Sequence, residues 1–320
     1  MSESEGCCIC GVPVPPPRNV VGGRVYCDRH YATINKPHAG AWRAGLAQIV
    51  GMALFSALVA ALASRLGPLG RAAQIAFGLV LGLVPSLLWI GYFYRQDRLE
   101  PEPKTRLAAV FLLAALLTEA LGRRVMGDWF GAANWASGNA GIALLASILI
   151  DGFVLQATVY AAVRAIVYAT PEFDERMDGI VYGTVAALGA AAVLNVHYVL
   201  DNGGVAPVPG VIQTATTALA LASFGGLLGY FMAEGKFRHR PVWWLPFGMV
   251  LTAALNGLLR WLLGEVSVTG LTVQPWRSLA LGLVVALVAF GVLVALMRRS
   301  TAVTLTGVAP DRARNRGAWG

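Results

Sequence analysis

The chain has 320 residues, of which 57% are hydrophobic and 13% charged, where a soluble domain carries about 25% charged residues. That balance excludes a pair of ordinary soluble domains and predicts an all-α polytopic membrane protein. The net charge of +8 would suggest a nucleic-acid partner in a soluble chain. Here the basic residues lie mostly between apolar runs, so topology explains them and no nucleic acid is expected.

Residues 1–40 form a separate small module, and all four cysteines fall within it. Cys7-x2-Cys10 followed by Gly11 has the spacing of a metal knuckle. Cys27-x2-His30 supplies a second pair at a separation suited to zinc. Between them, Gly22-Gly23 flanked by Val20-Val21 and Val25-Tyr26 reads as a hairpin. Two knuckles joined by a hairpin predict a zinc ribbon closed by Cys7, Cys10, Cys27 and His30. With four ligands and no open position, its zinc is structural. A segment this short builds little core and needs such a staple, and a reducing cytoplasm argues against disulfides. Cys8 is the spare thiol, Cys8 with Cys10 is an alternative pair, and His38 reads as a linker residue. The polar, Pro-rich start lacks the apolar core of a cleavable signal.

Residues 41–300 predict eight spanning helices, at 46–64, 73–94, 105–122, 142–166, 179–200, 211–233, 242–263 and 278–297. Pro85 falls inside the second. With the N-terminus cytoplasmic, the inner segments hold 18 Lys and Arg and the outer loops 6. By the positive-inside rule this places both termini in the cytoplasm, in a plasma (inner) membrane. The pairs Gly78/Gly82, Gly179/Gly183 and Gly225/Gly229 predict close packing between helices of one chain. Residues 301–320 read as a basic, disordered cytoplasmic tail.

Two loops stand out. One contains Asp97-Arg98-Leu99-Glu100-Pro101-Glu102-Pro103-Lys104, the other Phe173-Asp174-Glu175-Arg176-Met177-Asp178-Gly179-Ile180-Val181-Tyr182-Gly183. From the residues alone they are charged, solvated turns with helix-start acids. Together they resemble the PrsW family of membrane-embedded proteases, over roughly residues 85–262. The continuation from Ala187 to Tyr198 looks like that family's G-F-A-x-x-E-N-x-x-Y helix.

The resemblance implies a peptidase built on acidic and histidine residues inside the membrane. Carried across, the fourth-helix acids fall at Leu155 and Gln156, and the following lysine at Val159. The fifth-helix glutamate falls at Leu194, with Asn195 retained. The sixth-helix histidine falls near Gln213. The seventh-helix histidine falls near Thr252 or Ala253, with Asn256 retained. Peptide hydrolysis needs an activated water and charge stabilisation from a metal or a tuned carboxylate. Leu and Val supply neither, while Gln, Asn and Thr are neutral and poor metal ligands.

Residual candidates inside the membrane are Glu119, Asp151, Asn195, His197 and Asn256, with Arg164 and Arg260 nearby. A carboxylate paired with Arg is explained more simply as an ion pair fixing helix positions. The expected function is therefore a non-catalytic, PrsW-like binding or scaffold subunit in the bilayer. Its partners would be other membrane proteins or a single-span helix. The alternative is an active intramembrane peptidase using the displaced acids. A transporter is weaker, because the paired broken-helix signature is absent.

Overall fold

A computed structural model describes residues 6–21, 24–34, 70–96, 102–136, 138–201, 207–238, 240–265 and 275–306, with scattered residues between 50 and 65. The first expected span, 46–64, falls mostly outside the described residues, as does His38.

The N-terminal segment opens with two short strands, β1 (Asn19–Val21) and β2 (Arg24–Tyr26). They pair antiparallel with Asn19 opposite Tyr26 and Val21 opposite Arg24. The strand pairing is the one the sequence predicts, and Gly22-Gly23 between the strands lie outside the described residues. Helix α1 (Asp28–Ile34) follows at once. The second ligand pair therefore straddles a helix start instead of a second knuckle. The Asp28 carboxylate accepts a 2.7 Å bond from Asn19 Nδ2, which ties the helix start to the hairpin.

Seven long helices follow among the described residues: α2 (Arg71–Gln96), α3 (Lys104–Trp129), α5 (Ala140–Ile166), α6 (Arg176–Asp201), α7 (Pro207–Phe237), α8 (Trp244–Glu265) and α9 (Pro275–Thr306). The short α4 (Ala132–Trp135) links α3 to α5. Helices α3 and α5–α9 contain segments long and apolar enough to cross a membrane, and α2 holds Pro85 and a shorter apolar stretch, Gly82–Tyr94. The chain is a multi-pass membrane protein whose outer faces contact lipid. The last helix runs to Thr306, six residues into the expected tail.

Helices α6 and α7 form the centre. Their membrane windows are 83% and 78% buried, against 28–39% for the other four. Glycine explains the contact. An added Cβ on Gly179 or Gly183 would overlap the carbonyl oxygen of Gly229 or Gly225, and the converse holds on α7. Without side chains at those four positions the two backbones touch, and dispersion does the work that hydrophobicity cannot do in lipid. The Gly179/Gly183 and Gly225/Gly229 pairs thus pack within one chain. A second such crossing joins α5 to α8, where Gly152 lies on Ala253 and Gly257 on Ile148.

The regular ladder loosens in two places. α3 takes π-helical turns at Thr118–Gly122 and Arg124–Trp129, and α5 does so at Ser147–Gly152. Each wider turn shifts the side chains that follow and leaves part of the ladder poorly paired. Two of the candidate acids, Glu119 and Asp151, sit on these turns.

Candidate metal centre and membrane cleft

The four ligands converge. Sγ of Cys7, Cys10 and Cys27 and a ring nitrogen of His30 all lie within 4.8 Å of one another. His30 Nδ1 is 3.2 Å from Cys27 Sγ and 3.5 Å from Cys7 Sγ, and Cys10 and Cys27 Sγ are 3.9 Å apart. Tetrahedral zinc with Zn–S bonds of about 2.3 Å would hold its sulfurs about 3.8 Å apart, so the spacing suits a metal ion. Cys8 is exposed and stands outside the group.

Local backbone shape builds the knuckle. Gly11 has φ +70°, which an L side chain rarely adopts. Its N–H donates to the Cys7 carbonyl at 2.8 Å, and the Cys8 N–H donates to the Val25 carbonyl at 2.9 Å. Burial opposes ionisation of Cys7, but backbone N–H groups of Cys27, Cys10 and Ile9, with the His30 ring, hold its pKa down to about 5. At Cys10 a backbone bond at Val12 favours the thiolate, yet burial and the adjoining Cys7 and Cys27 sulfurs push its pKa up. Three sulfurs this close cannot all ionise cheaply without a cation between them. The apolar core beneath consists of Cys7, Val14 and Val25, too little to hold the segment unaided.

Inside the membrane the expected positions are buried and neutral. Leu155, Val159 and Gln156 are buried on α5, and Thr252 and Asn256 on α8, while Leu194 and Gln213 are half-buried. Thr252 spends its hydroxyl on the Gly248 carbonyl at 2.8 Å. Asn195 Nδ2 donates to the Thr214 carbonyl at 2.9 Å, which brings the Leu194–Asn195 and Gln213–Thr214 segments together. Asn256 is fully buried with neither amide atom paired, and Gln156 Oε1 is likewise buried without a partner. Such orphans are uncommon, because each costs about 1–3 kcal/mol.

The remaining candidate acids fall into two ion-paired sets. Asp151 accepts from Arg260 Nε at 3.0 Å across the α5–α8 crossing. Glu119 is 2.7 Å from His197 Nε2, and Arg123 reaches both Glu119 and the other ring nitrogen of His197. Arg164 lies exposed near the end of α5 with its guanidinium 4.6 Å from the Tyr168 ring centre.

The two distinctive motifs meet at the opposite end of the bundle. Tyr182 donates to Glu102 Oε2 at 2.5 Å, joining the Glu-Pro segment to α6. Asp178 accepts the N–H groups of Asp174 and Glu175 at 2.8 and 2.6 Å, fastening the loop onto the helix start. Arg106 adds a 3.2 Å bridge to Glu172, whose carboxyl is held below its usual range by the Thr170 hydroxyl, its own backbone and Arg106. Sequence reasoning gave these residues no partners and missed Glu234 altogether. Glu234 is 3% exposed, with Arg176 at 3.1 Å and Arg240 at 2.6 Å. The signal was there, an acid at the end of an apolar run before Lys236, Arg238 and Arg240.

This motif-built helix core matches the PrsW family intramembrane metalloprotease over residues 102–297. The chain belongs to the PrsW family. It is 30% identical over 190 residues to the protein named protease PrsW from Geobacillus kaustophilus, covering 57% of this chain and 77% of that one. The proteins of the same name from Bacillus subtilis and Oceanobacillus iheyensis are each 26% identical. They cover 58% and 62% of this chain, and 82% and 88% of their own lengths. No solved structure matches. The Cys/His cluster lies outside the PrsW match.

The family description implies a metal, and the donors at the expected membrane positions do not suit one. Leu and Val offer no donor atom, while amides and a hydroxyl already bonded to backbone are weak ligands. Among the described residues, three or more His, Cys, Asp or Glu ligands converge only at the N-terminal cluster. At the Glu119–His197 pair, the Arg123 cation occupies the second ring nitrogen and would repel a metal ion.

Proposed function

We propose that this PrsW-family chain is a non-catalytic membrane protein, whose remodelled cleft holds a helix of another membrane protein. The observation that carries the reading is that two expected catalytic positions hold buried neutral amides, with Gln156 Oε1 and both amide atoms of Asn256 unpartnered. Amides can bond an exposed peptide group of a bound helix, yet neither can activate water. On this reading residues 1–40 form a cytoplasmic module whose closed Cys3His set holds structural zinc. Residues 41–300 form the membrane domain, with both termini in the cytoplasm of the inner membrane. Restoring one acid should not create a protease, because catalytic groups act as a unit. Leu194→Glu should cost about 2 kcal/mol by placing a carboxylate in a partly buried apolar site, with no cleavage of single-span substrates. Cleavage by Leu194→Glu would mean that the rest of the machinery is intact, and would end this reading.

A second reading rests on the 2.7 Å Glu119–His197 contact and on the π-helical turn that carries Glu119. It makes the chain a peptidase with displaced catalytic groups. Loss of cleavage in Glu119→Gln, with the helix bundle intact, is its requirement.

A further inference from the structure

At the motif end of the bundle three span termini meet. α6 begins there at Arg176, the membrane window of α7 ends at Phe237, and that of α9 ends at Ser300. Between them lies a small open cavity lined by Arg176, Tyr230, Glu234, Arg238, Arg299 and Ser300. Its level in the bilayer is marked independently. Arg240 lies 4.5 Å from the Trp244 ring centre, and the neighbouring Trp243 is 60% exposed. Tryptophans of this kind sit at the headgroup level.

Charge is strongly unbalanced here. Glu234 bonds Arg176 and Arg240 and lies 3.6 Å from Arg238, while Arg299 faces the same cavity. The lining holds one carboxylate, Glu234, against three guanidiniums, Arg176, Arg238 and Arg299, and leaves an excess of positive charge at close range. Glu234 holds Arg176, Arg238 and Arg240 in place despite their mutual repulsion, so the donors are set before any anion arrives. Guanidinium groups suit phosphate oxygens in charge and geometry. Basic pockets between spanning helices are places where lipid phosphates settle.

We infer that the arginines at the mouth of this cavity, whose interior of about 10 Å³ admits no more than a water, bind the phosphate headgroup of an anionic glycerophospholipid from the adjoining leaflet. The lipid's acyl chains would lie along α9, where Val288 and Val292 are exposed. The occupant is a lipid and not free phosphate, because the cavity opens where helix surfaces pass into the bilayer.

The test uses the full chain in vesicles of phosphatidylcholine, with or without phosphatidylglycerol, followed by detergent extraction and mass spectrometry of retained lipid. The natural chain should retain phosphatidylglycerol in preference to phosphatidylcholine. Arg299→Gln should lower that retention roughly tenfold, the loss expected for one charge-assisted bond. Arg299 is exposed, so this variant should fold, and Arg238→Gln provides a second. Arg164→Gln removes an equal charge elsewhere and should change nothing. Equal retention of both lipids, or equal losses in Arg164→Gln and Arg299→Gln, would overturn the site. A thermal stabilisation by inorganic phosphate in phosphatidylcholine vesicles, matching that by phosphatidylglycerol, would overturn the lipid assignment.

Discussion

The N-terminal cluster and the α6–α7 core solve the same problem with opposite means. The first has a core of Cys7, Val14 and Val25 and gathers three sulfurs and a ring nitrogen that could hold a metal ion. The second rests on four glycines whose missing side chains let two helices touch, with hydrogen bonds from Thr184 to the Ala222 carbonyl and from Asn195 to the Thr214 carbonyl beside them. One would be stabilised by something added, the other by something left out. The two should therefore fail independently, and each can be broken without disturbing the other.

Removing the ion gives the largest expected effect. Structural zinc contributes on the order of 10 kcal/mol to folding of a small peptide module. Cys27→Ala should lower bound zinc from about one per chain to near none and unfold residues 6–34, followed by metal analysis and proteolysis of the N-terminus. The helix bundle should keep its melting temperature, since its backbone bonds are internal. If a chain beginning near Gly40 still carries zinc, the assignment of the metal to the N-terminus fails.

The converse break is Gly229→Val. Its side chain would overlap the Gly179 carbonyl oxygen, and parting the helices should cost about 3 kcal/mol. Reversible unfolding in mixed micelles measures this, and zinc content should stay unchanged. A loss of zinc in this variant would show that the two regions are coupled.

A smaller effect of opposite sign is expected at Asn256. If its amide is kept for binding, Asn256→Leu should raise bundle stability by about 1 kcal/mol, because an unpaired buried amide is replaced by an apolar group. The same variant should bind partner helices more weakly. Destabilisation instead would mean that the amide is already satisfied within the fold.

Much of this architecture is legible in the chain. Runs of apolar residues mark the spans because lipid requires about 20 of them. The Cys and His spacing marks the cluster because ligand pairs sit on short turns. Glycine pairs four apart predict contact, and Gly179/Gly183 and Gly225/Gly229 turn out to be each other's partners, while Gly82 meets Val196. What the sequence conceals is mostly long-range. Nothing near Glu102 points to Tyr182, 80 residues away, and the π-helical turns under Glu119 and Asp151 have no local signature. Glu234 escaped because the expected span stops at 233, one residue short of the acid. The helix at Asp28 escaped because the ligand spacing fits a second knuckle equally well, and spacing alone carries no backbone direction.

A membrane domain that has lost its catalytic groups should bind without cutting. The direct test reconstitutes the purified chain in proteoliposomes with a panel of single-span membrane proteins, and follows cleavage and stable association together. The prediction is association without cleavage, surviving both Asp151→Asn and Glu119→Gln. Cleavage by the natural chain that disappears in either variant would contradict it.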